Sequence, residues 1–106
     1  MGRVMRRGQI WIAQVGRKER PVLLLTRTEV LDVRGLVTVA EITTSIRGLA
    51  AEVAFDDENV GVHRESVINC DGLHTITQTS MTGPIGEVDG DVMAKVGAAL
   101  SYSLGC

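Results

Sequence analysis

Arg20 stands directly before Pro21 and the apolar run Val22-Leu23-Leu24-Leu25, with Arg17 and Lys18 just upstream. Thr43-Thr44-Ser45 is followed by Arg47-Gly48, and Asn69, Asp71 and His74 come close together further on. A guanidinium at the mouth of a strand can hold an anion, hydroxyls can donate to it, and histidine or aspartate can exchange protons. Taken singly, each has an ordinary structural reading. Arg20 reads as a solvated loop charge, Thr43 and Thr44 as the end of a strand, and His74 as a satisfied core histidine.

Other chemistries lack their residues. His63, His74, Cys70 and Asp71 follow no structural zinc spacing, and Asp56-Asp57-Glu58-Asn59 lacks the glycine and spaced carboxylates of a calcium loop. Gly83-x-x-Gly86 brings no lysine, so it is no phosphate-binding P-loop, and no G-x-S-x-G occurs. Three aromatic residues are too few for a platform on which several bases stack. No metal and no cofactor is expected.

The elements that must position these residues are mostly strands. Gln9–Gln14 reads as a first strand and Gly16–Glu19 as a loop. Pro21–Thr26 is a second strand, apolar throughout and so buried on both faces. Glu29–Gly35 is a connection, and Leu36–Ile42 is a β-branched third strand. Ala51–Phe55 alternates weakly before a turn at Asp56–Asn59. Ser66–Cys70 and His74–Thr77 read as two short strands, and Gly83–Val88 as a last extended piece. In the tail, Val92, Val96, Ala99, Leu100 and Leu104 recur at helical spacing, with Asp89 or Asp91 to cap the start and Gly105 to end it. Many short strands and one helix make a mainly β (α+β) fold, a small barrel or half-barrel with a terminal helix packed on it.

With 106 residues the chain is one domain, 1–106, with a single core. No run of 18 apolar residues occurs, so no membrane span is expected. The segment after Arg6-Arg7 is too short and polar for a signal peptide, and Met5 is an alternative start to Met1. Cys70 and Cys106 are too few for a disulfide framework, which points to a reduced, cytoplasmic setting. Net charge is −2, but residues 1–47 carry nine Lys/Arg against four Asp/Glu, and the remainder two against nine. A basic half can face a nucleic-acid backbone, unless the halves interleave in space.

The motifs together, in order, resemble the MazF/PemK (Kid) toxins of bacterial toxin–antitoxin pairs. Arg7-Gly8-Gln9-Ile10-Trp11 is similar to the family's opening, with Gln9 in place of the usual acid. Arg20-Pro21-Val22-Leu23-Leu24-Leu25, Ile42-Thr43-Thr44-Ser45-Ile46-Arg47-Gly48 and Ser66-Val67-Ile68-Asn69-Cys70-Asp71 resemble its later motifs, and Gly86-Glu87-Val88 with the tail helix its ending.

The resemblance implies an SH3-like small β-barrel forming a homodimer, held inactive by a cognate MazE-like antitoxin. It implies a metal-independent endoribonuclease that cuts single-stranded RNA at short sequences through attack of the 2′-hydroxyl. The products would be a 2′,3′-cyclic phosphate and a 5′-hydroxyl. It places Arg20 on the family's catalytic arginine, Thr43 on its catalytic threonine, and Asp71 on an acid that contributes in the Kid branch. Arg17, Lys18, Thr44, Ser45, Arg47 and Asn69 are the expected RNA-binding residues. His74 stands where the family often has arginine, Gly72 where it has glutamine, and Asn69 where Kid-like members have arginine, so base specificity is expected to differ. Arginine is a poor base, its pKa lying above about 12. His74 or Asp71 is therefore the expected proton acceptor, His74 the better matched near neutral pH. Two other functions fit the same architecture: a CcdB-like toxin that poisons gyrase without cutting, and an inactive SH3-like binding module.

Overall fold

Alternation along the strands decides which side chains meet. In the computed structural model, which describes residues 5–28, 31, 35–55 and 66–105, six strands form one antiparallel sheet. They are β1 (Gln9–Val15), β2 (Lys18–Leu24), β3 (Leu36–Thr43), β4 (Glu52–Phe55), β5 (Ser66–Thr77) and β6 (Thr82–Glu87). The order across the sheet is β4-β5-β3-β2-β1-β6, and a helix, α1 (Gly90–Leu104), follows.

The curled sheet has apolar clusters on both sides. On the helix side Ile10, Leu23, Ala40, Ile42, Ile68 and Cys70 pack with Val96 and Ala99 of α1. On the other side Trp11, Ala13, Val22, Leu24, Val37 and Val39 pack with Met81. The central strand β2 feeds both clusters, which is why Val22-Leu23-Leu24-Leu25 is apolar without alternation. Each such side chain, fully buried, contributes about 1.5–3 kcal/mol, so the strand's phase is firmly fixed.

The expected mainly β half-barrel with a terminal helix is what the chain forms, with local corrections. Gly16–Glu19 is not a loop: Gly16 and Arg17 alone make the turn, Gly16 at φ 65°, and Val15 pairs with Lys18. Strand β2 ends at Leu24, before Thr26. The two short strands expected between Ser66 and Thr77 are one strand, β5, interrupted by a bulge. The expected turn at Asp56–Asn59, and His63, lie outside the described residues.

Asp89 is the cap of α1, its Oδ1 accepting from Val92 N–H at 2.9 Å, and Gly105 ends the helix in the left-handed region at φ 73°. Val96 and Ala99 are buried, Val92 and Leu100 half-buried, and Leu104 exposed. Gln9 is buried, and its Oε1 accepts from Trp11 Nε1–H at 3.1 Å and Arg6 N–H at 2.8 Å. A neutral amide there satisfies two donors without burying a charge. Among the described residues no helix is long and apolar enough to cross a membrane.

Cys70 is sealed beneath the helix, and burial, with the Asp71 charge adding to it, pushes its thiol from an ordinary 9.0 up to about 11. Its raised value means a contribution to stability that is full below about pH 9 and fades as pH rises toward 11. In a Cys106→Ser variant, Cys70 should therefore ignore a disulfide thiol reagent at pH 8 in the folded state and react fully in denaturant. Rapid labelling of the folded protein would contradict the burial.

Candidate active site

Register brings the polar residues together. Val22 pairs with Glu41, and Glu41 with Asn69 on its other side. Arg20 lies two residues before Val22, and Thr43 two after Glu41, so all four polar residues project on the face away from α1. The ladder between β2 and β3 begins at Val22, and Pro21, lacking an N–H, has no ladder bond to give. Arg20 therefore sits where β2 has parted from β3. Arg20, Glu41, Thr43, Ser45, Arg47 and Asn69 line one cleft of about 150 Å³.

Each wall has a support. Thr43 Oγ1 accepts from Ser45 N–H at 3.0 Å, which leaves the hydroxyl proton to be donated. Glu52 shapes the loop that carries Arg47. Its buried carboxylate accepts from Arg47 N–H at 3.0 Å and Leu49 N–H at 3.1 Å, with Arg47 Nε at 3.8 Å. Burial alone would push that carboxyl up. The backbone N–H groups of Leu49, Arg47 and Gly48, with the Arg47 charge, outweigh it and hold the group below its ordinary 4.5.

Glu41 was not expected from the sequence and stands at the centre. Its Oε1 lies 3.7 Å from Arg20 Nη1, and its Oε2 lies 3.2 Å from His74 Nε2. Neither approach is a formed hydrogen bond: Arg20 Nε and His74 Nε2 are closed off from solvent and make none. The carboxylate fits because of β5. Ala40 pairs with Leu73 and Glu41 with Asn69, so Cys70, Asp71 and Gly72 bulge from the ladder. A Cβ on Gly72 would lie 2.6 Å from Glu41 Oε2 and 3.0 Å from Asn69 Nδ2. The signal that could have found Glu41 is a single carboxylate in the apolar, β-branched run Leu36–Ile42, since a half-buried acid needs a cation.

Of the residues singled out from sequence, Arg20, Thr43, Ser45, Arg47 and Asn69 meet at this cleft. His74 lies outside it, reaching it through Glu41. Asp71 is turned the other way, toward α1, where its Oδ1 accepts from the Ser103 hydroxyl. Arg17 and Lys18 are exposed at the tip of the first hairpin, and Thr44 is exposed beyond the cleft wall.

The family model for the PemK-like, MazF-like toxins of type II toxin–antitoxin systems matches residues 6–104. The chain belongs to that family. It is similar to endoribonuclease MazF3 of Mycobacterium tuberculosis, at 44% identity over 96 residues, 91% of this chain and 87% of the relative. Among solved structures it is similar to the toxin MazF-mt6 of Mycobacterium tuberculosis, with a TM-score of 0.85 and 38% identity over 92% of this chain and 96% of that one. A mycobacterial endoribonuclease in complex with its cognate antitoxin also has a TM-score of 0.85, at 25% identity over 95% of each chain.

In this MazF-family toxin the loop before β4 depends on Glu52 ionisation. Because the folded value is depressed, the loop's support is full above about pH 4.5 and is lost as pH falls through the folded value. The amide resonances of Arg47 and Leu49 should move together as acid is added, and in Glu52→Gln they should hold one position across the same range. Amides that ignore pH in the parent protein would contradict the role given to Glu52.

Proposed function

We propose that this MazF-family endoribonuclease cuts single-stranded RNA at short specific sequences in the cleft lined by Arg20 and Thr43. The 2′-hydroxyl attacks the adjacent phosphate, the O2′–P bond forms and the P–O5′ bond breaks. The products are a 2′,3′-cyclic phosphate and a 5′-hydroxyl end. The observation that carries this reading is the convergence of Arg20 and Thr43, from separate strands, in one cleft beside Arg47, Ser45 and Asn69.

Charge gathers on the phosphoryl oxygens as the ring closes. Arg20 supplies a permanent positive charge and paired donors there, and Thr43 a neutral donor. A preorganised donor of this kind is worth roughly 3–4 kcal/mol, or about 10²- to 10³-fold in rate. Arg47, Ser45 and Asn69 hold the neighbouring nucleotides, with Thr44, Arg17 and Lys18 further along the strand. The reaction needs no metal, so it should proceed in EDTA. The cytoplasm is the place of action, where the RNA is.

A MazE-like antitoxin neutralises the toxin by laying an extended segment over the cleft. A second copy of the chain completes the toxin. The dimer face is where the end of α1 leaves Leu104 exposed. There Leu25, Leu73, Leu100 and Leu104 line a groove of about 460 Å³.

Arg20→Ala is expected to abolish cutting of a long single-stranded RNA and to leave the far-UV spectrum unchanged. Thr43→Val should lower the rate by about 10²-fold with little loss of RNA affinity. An RNA carrying one 2′-deoxy residue at the cut site should resist the parent enzyme, and cutting of that RNA would refute the mechanism. Sedimentation should give a species of twice 11.4 kDa, with Leu104→Asp shifting it toward the monomer.

A further inference from the structure

The remaining question in this reaction is which group takes the 2′-hydroxyl proton. The cleft answers by elimination. Its lining is Arg20, Glu41, Thr43, Ser45, Arg47 and Asn69. Arginine, hydroxyl and amide side chains are not proton acceptors near neutral pH, and a carboxylate is. Asp71 is engaged by Ser103 on the helix side, and His74 stands behind Glu41 at 3.2 Å.

We infer that Glu41 is the general base of the cleavage reaction, with Gly72 the residue whose missing side chain keeps the carboxylate in place. The inference rests on the RNA-cleaving function proposed for this cleft. A carboxylate is a weaker base than an imidazole. Reach decides first, however, and basicity second. Oε1 is the oxygen on the Arg20 side, 3.7 Å from the guanidinium that would hold the phosphate. The O2′ proton passes to the Glu41 carboxylate as the O2′–P bond forms. The departing 5′-oxygen takes a proton from water, and Glu41 returns its own proton to solvent before the next turnover.

The charged and titratable groups that face Glu41 are Arg20 of β2 and His74 of β5, with Arg47 on the far wall. Gly72 contributes geometry. Its backbone lies outside the left-handed region, so alanine is allowed there, and the atoms an added Cβ would meet are the movable ends of Glu41 and Asn69. Gly72→Ala should therefore fold and displace the carboxylate.

The test uses the full-length toxin and a short RNA holding one cut site, after the parent enzyme has been shown to cut it in EDTA and to spare its 2′-deoxy form. If the parent fails there, the proposed function falls; if it passes, the variants judge Glu41 alone. Glu41→Gln should lower kcat by roughly 10²- to 10⁴-fold with KM within about threefold. Glu41→Ala should be equally slow, and formate should restore its rate in proportion to concentration, because a small carboxylate can fill the space and take the proton. Formate should not restore Glu41→Gln. Gly72→Ala should show the loss in kcat with Glu41 still present. A Glu41→Gln enzyme within tenfold of the parent would overturn the inference, as would a Glu41→Ala enzyme that formate fails to restore. So would formate restoring His74→Ala in place of Glu41→Ala, which would move the base to His74.

Discussion

The phase of β3 is the constraint on which the cleft depends. Val39, Glu41 and Thr43 face one side of the sheet, and Ala40 and Ile42 the helix side. A slip of one residue would send Glu41 and Thr43 into the apolar layer under α1 and expose Ile42. The phase is held from both neighbours: Leu23 of β2 pairs with Ala40, and Ile68 of β5 with Ile42. The packing that stabilises the fold is thus the same packing that aims the chemistry. The apolar row of Val22, Leu24, Val37 and Val39 stops where β2 and β3 separate, and the polar residues begin on the same face just beyond it.

Charge is arranged around this frame with little weight in the fold itself. The strands of the basic first half, β3-β2-β1, form the middle of the sheet, and those of the acidic second half flank them, β4 and β5 on one side and β6 on the other, where Arg6 reaches Glu87 at 2.9 Å. That pair is half exposed and contributes little to stability. The Arg20–Glu41 approach at 3.7 Å is loose. Looseness suits the role proposed for Arg20, since a bidentate, fully satisfied pair would have to be broken before a phosphate could be received. Glu52 is the contrasting case: sealed from solvent and met by backbone N–H groups, it is committed to holding a loop.

Much of this was legible in the sequence. Val22–Leu25 announced a doubly covered strand because burial on both faces removes alternation, and the tail announced a helix through spacing and its caps. Arg20 and Thr43 were found by motif, and their meeting follows from register. The misreadings share one cause, which is that residue types describe local preference while pairing is decided across the sheet. Asn69-Cys70-Asp71-Gly72 has the composition of a turn, yet β3 holds both arms of the segment, and β4 the first of them, and this turns it into a bulge. Lys18 and Glu19 look like loop residues, yet their partners in β1 make them strand. Glu41 gives little signal because the apolar pattern of a valine-rich strand reports its core face, and Asp71, a neighbour of His74 in sequence, lies away from the cleft because the bulge turns it toward Ser103.

The sheet is an open one, and its two outer strands have a bearing on how the protein behaves when crowded. Among the described residues, neither β4 nor β6 has a strand on its outer side. Such edges are templates on which other chains can add and grow into aggregates. Here β4 offers only four residues, and β6 contains Pro84, which has no N–H to lend, between Gly83 and Ile85. A strand arriving from outside would find either too short a landing or an interrupted row of donors. The sheet can therefore stay unclosed without inviting polymerisation, and the colloidal stability of the protein is written into its least conspicuous strands.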